Sequence, residues 1–201
     1  MNLLLLRHAQ PLVASGVCYG ALDVAADLAA TQQAAQTLAP GLPSGAQLWV
    51  SPLQRCELLA QTIQGLRPDL TCKTDARLAE INFGCYEGQP WADIAADAYA
   101  AWTADFWQHR FGGAESLAEL MARVSSAWGD ALVAEQAPVW VTHAGVIRVA
   151  SLLAQGVRRI DQAQDWPKSA PGFGQRLVLP LHPQPGVDGD VRADLDSHHL
   201  A

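Results

Sequence analysis

Short runs of apolar residues along this chain are separated by longer segments in which apolar residues recur at helical spacing. The first run is Leu3 to Leu6, and a similar run, Val139-Trp140-Val141, lies far downstream. Short continuous apolar runs are typical of buried strands. We therefore predict strands over residues 2–7 and 139–142. Weaker patterns predict further strands over residues 47–50, 70–74 and 175–181.

The segments between these strands carry helix signals. The segment from Glu115 to Trp128 is amphipathic, with one apolar stripe formed by Leu117, Leu120, Met121, Val124 and Trp128. Ser51-Pro52 predicts a helix to about Gly65, with Ser51 as N-cap and Pro52 at the first helical position. Further helices are expected over residues 27–39, over 90–105 and from the 139–142 strand to about Ala154. Alternating strands and helices predict an α/β fold, a three-layer sandwich with a mainly parallel central sheet.

The composition indicates a globular protein, since 50% of the 201 residues are hydrophobic and 16% are charged. We expect one domain over residues 1–182, with a lid segment at about residues 89–114. Residues 183–201 are rich in Gly, Asp and Pro and are expected to form a flexible tail.

The formal net charge of −7 argues against a nucleic-acid partner, because nucleic-acid-binding domains carry a basic face. An anionic substrate would therefore need a local cluster of arginines. None of the cysteines forms a CxxC pair, so reduced thiols are expected. No apolar stretch approaches the length of a membrane-spanning helix. We expect a cytoplasmic protein with no membrane partner, either a monomer or a homodimer.

Chemically active side chains follow two of the predicted strands. Arg7 and His8 come at the end of the first strand, and His143 follows the strand at 139–142. In open α/β sheets, ligands bind at the carboxyl ends of the strands. The two histidines are therefore expected to meet at one crevice.

A second arginine and a carboxylate complete a set suited to phosphoryl transfer. Arg55 lies one turn into a predicted helix, where backbone N–H groups also favour an anion. Arginines can fork onto phosphoryl oxygens while a neutral histidine attacks phosphorus. His8 is expected to be neutral, because Arg7 and Arg55 disfavour its protonated form and a carbonyl of the 8–20 loop holds one ring nitrogen. Glu80 is the candidate acid for the leaving oxygen and the candidate base for the water that follows.

Two alternatives remain open for this set. Glu87 lies on the same irregular stretch as Glu80 and is a second candidate for the proton donor. His8, His143 and Glu80 are also residue types that bind zinc. Two arginines would oppose such a metal electrostatically, so we expect no metal and no cofactor.

Aromatic residues are concentrated in the segment that follows Glu80, namely Trp91, Tyr99, Trp102, Phe106 and Trp107. Most of them are expected to pack in the core. The alternative is a lid whose aromatic face stacks on a flat substrate.

Five motifs in this order resemble those of the histidine phosphatase superfamily, also called the phosphoglycerate mutase-like family, over about residues 2–180. They are Arg7-His8-Ala9, Ser51-Pro52-Leu53-Gln54-Arg55-Cys56, the stretch from Glu80 to Gly88, Gly113-Ala114-Glu115-Ser116 and Thr142-His143-Ala144-Gly145. Ala9 and Ala144 stand where the family has glycines. One such motif alone is weak evidence, whereas five in the right order are specific.

The resemblance implies a phosphoglycerate mutase-like fold and a metal-independent phosphomonoester hydrolase that forms a phosphohistidine intermediate. The implied partner is a small phosphorylated metabolite. The implied catalytic residues are His8 as nucleophile, Glu80 as proton donor, and Arg7, Arg55 and His143 as phosphate ligands; the implied substrate contacts also include Gln10, Tyr19 and Gly20.

Within the superfamily, the loop with Gln10-Pro11, Gly16-Val17-Cys18-Tyr19-Gly20 and Asp23 resembles the α-ribazole phosphatase branch. That branch removes the 5′-phosphate of α-ribazole phosphate late in cobalamin synthesis. The resemblance therefore makes α-ribazole 5′-phosphate a candidate substrate.

Three other functions remain as alternatives. They are a phosphoglycerate mutase-type phosphotransferase, a phosphohistidine phosphatase that acts on proteins, and a non-catalytic domain that binds a phosphorylated ligand. A mutase is expected to carry more basic residues between Glu80 and His143 than the two present, Arg110 and Arg123. Their small number favours hydrolysis.

Overall fold

The fold was analysed in a computed structural model that describes residues 1–181. The predicted tail, residues 183–201, lies outside the described residues. The strands are β1 Asn2–Arg7, β2 Gln47–Val50, β3 Thr71–Thr74, β4 Val139–Thr142 and β5 Arg176–Pro180. The α-helices are α1 Leu28–Leu38, α2 Gln54–Leu66, α3 Ala96–Ala104, α4 Leu117–Leu132 and α5 Ala144–Ala154.

The five strands form one sheet in the order β3-β2-β4-β1-β5. The first four strands are parallel, and β5 pairs antiparallel with β1. The expectation of an α/β fold with a mainly parallel sheet is thereby confirmed.

The leucines of β1 explain why the apolar run is continuous. Leu3 and Leu5 belong to the cluster that contains the buried faces of α4 and α5. Leu4 and Leu6 belong to a second cluster with α1 and α2. Because successive side chains of a strand point to opposite faces, a strand covered on both faces has to be apolar at every position. The sheet is thus the middle layer of three.

The start of α2 differs from the prediction. Ser51 was expected to be the N-cap, but the helix begins at Gln54 with Leu53 as N-cap. The Ser51 N–H instead donates to the Val141 carbonyl at 3.0 Å, which prolongs the pairing of β2 with β4. Tertiary pairing therefore overrides the local capping signal of Ser51-Pro52.

The predicted helix over residues 90–105 is also shorter in the structure. A 3₁₀ turn, Trp91–Asp93, is followed by α3 over Ala96–Ala104. By contrast, α4 has the predicted amphipathic stripe, and all five of its predicted apolar residues are buried. Ser116 and Glu119 form a capping box at its start, which fixes where the helix begins.

The register of the sheet places the chemically active residues at one edge. Arg7 at the end of β1 is paired with Thr142 at the end of β4. The next residue, His8, donates its N–H to the Thr142 carbonyl at 3.1 Å. His8 and His143 therefore leave two adjacent strands at the same level. Among residues 1–181, no helix is long and apolar enough to cross a membrane.

Candidate active site

Two buried histidines lie side by side at the carboxyl edge of the sheet. The ring centroids of His8 and His143 are 5.1 Å apart, with the ring planes tilted by 55°. His8 is 2% exposed and His143 is fully buried. His143 is also the N-cap residue of α5. The structure thus brings together the two histidines that the sequence places on separate strands.

The imidazole of His8 is held in one tautomer. Its Nδ1 lies 2.7 Å from the Ala9 carbonyl, which can only accept a hydrogen bond. Nδ1 therefore carries the proton, and Nε2 keeps its lone pair. Burial lowers the pKa of His8 to about 3, and the positive charges of Arg55 and Arg7 act in the same direction. The ring is therefore neutral at physiological pH.

The two arginines are fixed by backbone carbonyls. Arg55 is fully buried and donates from Nη1 to Leu22 at 2.8 Å and from Nη2 to Gly20 at 2.7 Å. Arg7 donates from Nη1 to Pro171 at 2.8 Å. The Nε atoms of both arginines are buried and have no hydrogen-bond partner in the described part of the chain. Leaving a buried donor unsatisfied costs roughly 1–3 kcal/mol, which an anion bound between the guanidinium groups would offset.

Glu80 is oriented by the start of α5. One carboxylate oxygen accepts from the Gly145 N–H at 2.9 Å, and the other accepts from the Ile81 N–H at 3.0 Å. Arg123 donates to the carbonyls of Ala79 at 2.6 Å and Glu80 at 3.2 Å and so holds this stretch of backbone. Hydrogen bonds to both carboxylate oxygens therefore fix the orientation of the Glu80 side chain.

Glu87 has a different environment. Its Oε1 accepts from the N–H groups of Ala21 and Phe83, both at 2.8 Å, and so ties the 80–88 stretch to the Gly20 loop. A Cβ on Gly20 would collide with the Ile81 carbonyl, which explains a glycine at this close approach. Because the Glu87 carboxylate accepts the hydrogen bonds that join these two segments, Glu80 is the better-placed candidate for the proton donor.

These side chains surround a cleft with a volume of about 130 Å³. Its walls are formed by Arg7, His8, Val17, Tyr19, Gly20, Arg55, Glu80, Phe83, Trp91 and Ala144.

Most residues predicted for the site lie on this wall or directly behind it. Tyr19 lies near both arginines, with the Arg55 guanidinium 5.6 Å from its ring centroid. Gln10, in contrast, is exposed, does not line the cleft, and donates to the Pro11 carbonyl at 3.4 Å. Its predicted contact with substrate stays a prediction.

The aromatic segment contributes both to the core and to the cleft. Phe83 packs edge-on against Trp91, with the two ring centroids 5.2 Å apart, and both rings line the cleft. Behind them, Phe111 is stacked on Trp102 at 4.4 Å and contacts Tyr99 at 5.5 Å. The rings packed behind the cleft therefore hold the aromatic part of its wall, Phe83 and Trp91, in place.

Two residues near the site, Phe173 and Ser51, were not among the predicted site residues. The Phe173 ring lies 5.4 Å from the His8 ring, and its centroid is 4.0 Å from the Arg7 guanidinium. The hydroxyl of Ser51 lies 2.7 Å from Nε2 of His143. Phe173 precedes β5, and only the antiparallel pairing of β5 with β1 brings it to the end of β1. Knowledge of that pairing would have been needed to predict its position.

The arrangement of the donor side chains bears on the possibility of a metal site. Within residues 1–181, no three His, Cys, Asp or Glu side chains are grouped closely enough to hold a metal ion. His8, His143 and Glu80 therefore do not form a zinc-binding triad in this geometry.

Comparison with known proteins identifies relatives of this arrangement. The family model of the histidine phosphatase superfamily (branch 1) matches residues 3–166. No curated protein matches the chain. The solved structure described as mycobacterial hydrolase 2 is 25% identical, with a TM-score of 0.75, and the match covers 94% of this chain and 85% of that one.

Two further solved structures share the fold. A Thermus thermophilus protein is 26% identical, with a TM-score of 0.66 and coverage of 89% of this chain and 92% of that one. A mycobacterial glucosyl-3-phosphoglycerate phosphatase is 24% identical, with a TM-score of 0.72 and coverage of 89% of each chain. The identity to the latter is low enough that it supports a shared fold and no more.

Proposed function

Because this chain belongs to the histidine phosphatase superfamily, we propose that it is a metal-independent phosphomonoesterase that forms a phosphohistidine intermediate. The observation that carries the proposal is a neutral His8 whose free Nε2 lies in a cleft with two arginines and a carboxylate. Nucleophile, charge stabilisation and proton donor are then all present in one cavity. The substrate is a small phosphorylated metabolite that fits this cavity.

The first step transfers the phosphoryl group to the enzyme. Nε2 of His8 attacks phosphorus and forms the N–P bond as the bond to the leaving oxygen breaks. Arg7 and Arg55 neutralise charge on the non-bridging oxygens. Glu80 in its acid form gives its proton to the leaving alkoxide, so the alcohol departs neutral.

The second step returns the enzyme to its starting state. Glu80, now a carboxylate, accepts a proton from water as the water oxygen attacks the phosphohistidine. The N–P bond breaks, inorganic phosphate forms, and His8 regains its lone pair. The same carboxylate thus serves as acid and then as base, and no other proton carrier is needed.

The charges around the cleft favour hydrolysis over mutase chemistry. A mutase has to hold a second anionic group, but Arg7 and Arg55 are the only cationic side chains on the wall formed by described residues. Arg110 is paired with Glu119, and Arg123 is paired with Glu115 at 2.6 Å. Both arginines between Glu80 and His143 are thus engaged in ion pairs with carboxylates of their own region.

The apolar part of the cleft suits a leaving group with a flat face. Val17, Phe83 and Trp91 supply this part of the wall, and an aromatic surface can stack on a planar base. This supports α-ribazole 5′-phosphate as one candidate substrate, alongside the resemblance of the 10–23 loop. A screen of phosphorylated metabolites with the purified protein tests it, and preference for substrates without a planar group would count against it.

The central experiment is to trap the intermediate. We expect brief mixing with p-nitrophenyl phosphate, followed by quenching in alkali, to leave one phosphoryl group on His8 that is detectable by peptide mass spectrometry. His8→Ala abolishes both the label and turnover, whereas His109→Ala, outside the cleft wall, leaves both intact. Near-normal turnover by His8→Ala would overturn the proposal, as would loss of activity on treatment with EDTA.

A further inference from the structure

The hydroxyl of Ser51 is positioned to choose the tautomer of His143. Ser51 and His143 are both fully buried, and Oγ lies 2.7 Å from Nε2. The N–H of Leu53 lies 3.3 Å from the same Oγ and can only donate to it. With that lone pair occupied, the serine proton is available for Nε2.

The opposite direction of this hydrogen bond is less well satisfied. If Nε2 carried the proton and donated to Ser51, the serine proton would need another acceptor. The nearby candidate is the sulfur of Cys56, which is 3.4 Å from Nε2 and is itself oriented toward the Thr142 carbonyl at 3.5 Å. Sulfur is a weak acceptor, so the arrangement in which Ser51 donates is preferred.

We propose that Ser51 is a positioning residue that holds the proton of His143 on Nδ1, so that this nitrogen donates to the phosphoryl group bound at His8. The only polar contact of Nδ1 within residues 1–181 is the Cys56 sulfur at 3.9 Å. A neutral imidazole carries one N–H proton. That proton stabilises the transition state only if it is on the nitrogen that faces the negative charge developing on the phosphoryl oxygens. Ser51 thereby makes a neutral His143 a phosphate ligand.

This role rests on the proposed function for its catalytic consequence, but not for its physical test. The tautomer can be read in the resting enzyme from the chemical shifts of isotopically labelled histidine nitrogens. We expect His143 in the Nδ1–H form in the wild type and a mixture of forms in Ser51→Ala. Ser51→Thr retains the hydroxyl and restores the Nδ1–H form. Cys56→Ala, which removes only the sulfur contact, keeps it.

Steady-state kinetics then connects the tautomer to turnover. Ser51→Ala lowers kcat by about 10-fold or more, less than the roughly 10²–10³-fold loss that follows deletion of a transition-state donor itself. KM changes little, and Ser51→Thr recovers kcat in step with the tautomer. A wild-type His143 in the Nε2–H form, or an unchanged tautomer in folded Ser51→Ala, would overturn this inference. Absence of any phosphatase activity with the expected tautomers would instead contradict the proposed function alone.

Discussion

Glu80 and Glu87 lie on the same irregular stretch but accept hydrogen bonds from different segments of the chain. Glu80 is bound by the first turn of α5 and lies on the cleft wall, whereas Glu87 is bound by Ala21 and Phe83. The sequence left the choice between them open, because residue type and spacing are compatible with either. The hydrogen-bond donors that contact each carboxylate in the folded chain distinguish the two residues.

The first prediction tests Glu80 as the proton donor. Glu80→Gln lowers kcat for alkyl phosphates by about 10²–10⁴-fold, because the leaving alkoxide loses its general acid. The loss is much smaller for p-nitrophenyl phosphate, whose leaving group departs without protonation. The measurement is kcat for both substrates. Glu87→Gln serves as the comparison and is expected to lower thermal stability while affecting both substrates alike; an equal loss in Glu80→Gln would refute the assignment.

At the scale of elements, the site is made where strands end and helices begin. β1 supplies Arg7 and His8, the first turn of α2 supplies Arg55, and α5 begins directly after His143. The backbone of α5 also contributes, because its Gly145 N–H holds Glu80. A Cβ added at Gly145 would collide with the Glu80 carboxylate. The start of α5 and the Glu80 carboxylate therefore approach more closely than a side chain at position 145 would permit.

The second prediction follows from that approach. Gly145→Ala should gain roughly 0.5–1 kcal/mol of helix propensity, yet kcat should fall by at least about 100-fold, because Glu80 is displaced from its position. Gly129→Ala in α4 is the matched control, since a Cβ there meets no atom within 4 Å. It should stabilise the protein with no change in kcat. Equal kcat in the two variants would show that the carboxylate tolerates displacement.

Elements with strong local patterns were predictable from the sequence, and those set by long-range pairing were not. The leucine run of β1 and the stripe of α4 predicted both elements within a few residues of their observed bounds. Ser51 failed as a predicted N-cap because its backbone N–H bonds to β4 and its hydroxyl contacts His143. A local signal was present there, but the Ser51 N–H and hydroxyl both bond to residues distant in the sequence, and the helix begins at Gln54.

For the whole molecule, the order of strands determines which side chains meet. The superfamily motifs predicted Arg7, His8, Arg55, Glu80 and His143, and the fold brings these side chains together at one edge of the sheet. Phe173 could not be predicted, because it belongs to no motif and reaches His8 only through the antiparallel β5. Motifs identify the reacting groups, whereas topology supplies their neighbours.

The third prediction concerns stability against acid. Burial lowers the pKa of both His8 and His143 in the folded state, to about 3 for His8. Below a pH of about 6.5 these two histidines bind protons in the unfolded chain but stay neutral in the folded protein. The free energy of unfolding therefore falls as the pH falls. Each histidine adds a slope of up to about 1.4 kcal/mol per pH unit, which for His8 extends from about 6.5 toward 3.

Urea denaturation at about pH 6.5 and about pH 5 measures this dependence above the range in which most carboxylates titrate. His8→Asn should flatten it, while His109→Asn, at a partly exposed position, should not. An identical pH dependence in wild type and His8→Asn would show that burial of His8 does not couple its protonation to folding.

The place of β1 in the sheet has a consequence during synthesis. β1 leaves the ribosome well before its neighbours β4 and β5, which lie far downstream in the chain. The nascent chain therefore carries His8, the proposed nucleophile, directly after a strand whose two edges stay unpaired until residues 139–142 and 176–180 have been made. We expect unfinished chains to be catalytically silent and to need protection from aggregation, since an apolar strand without neighbours is a ready template for misassembly.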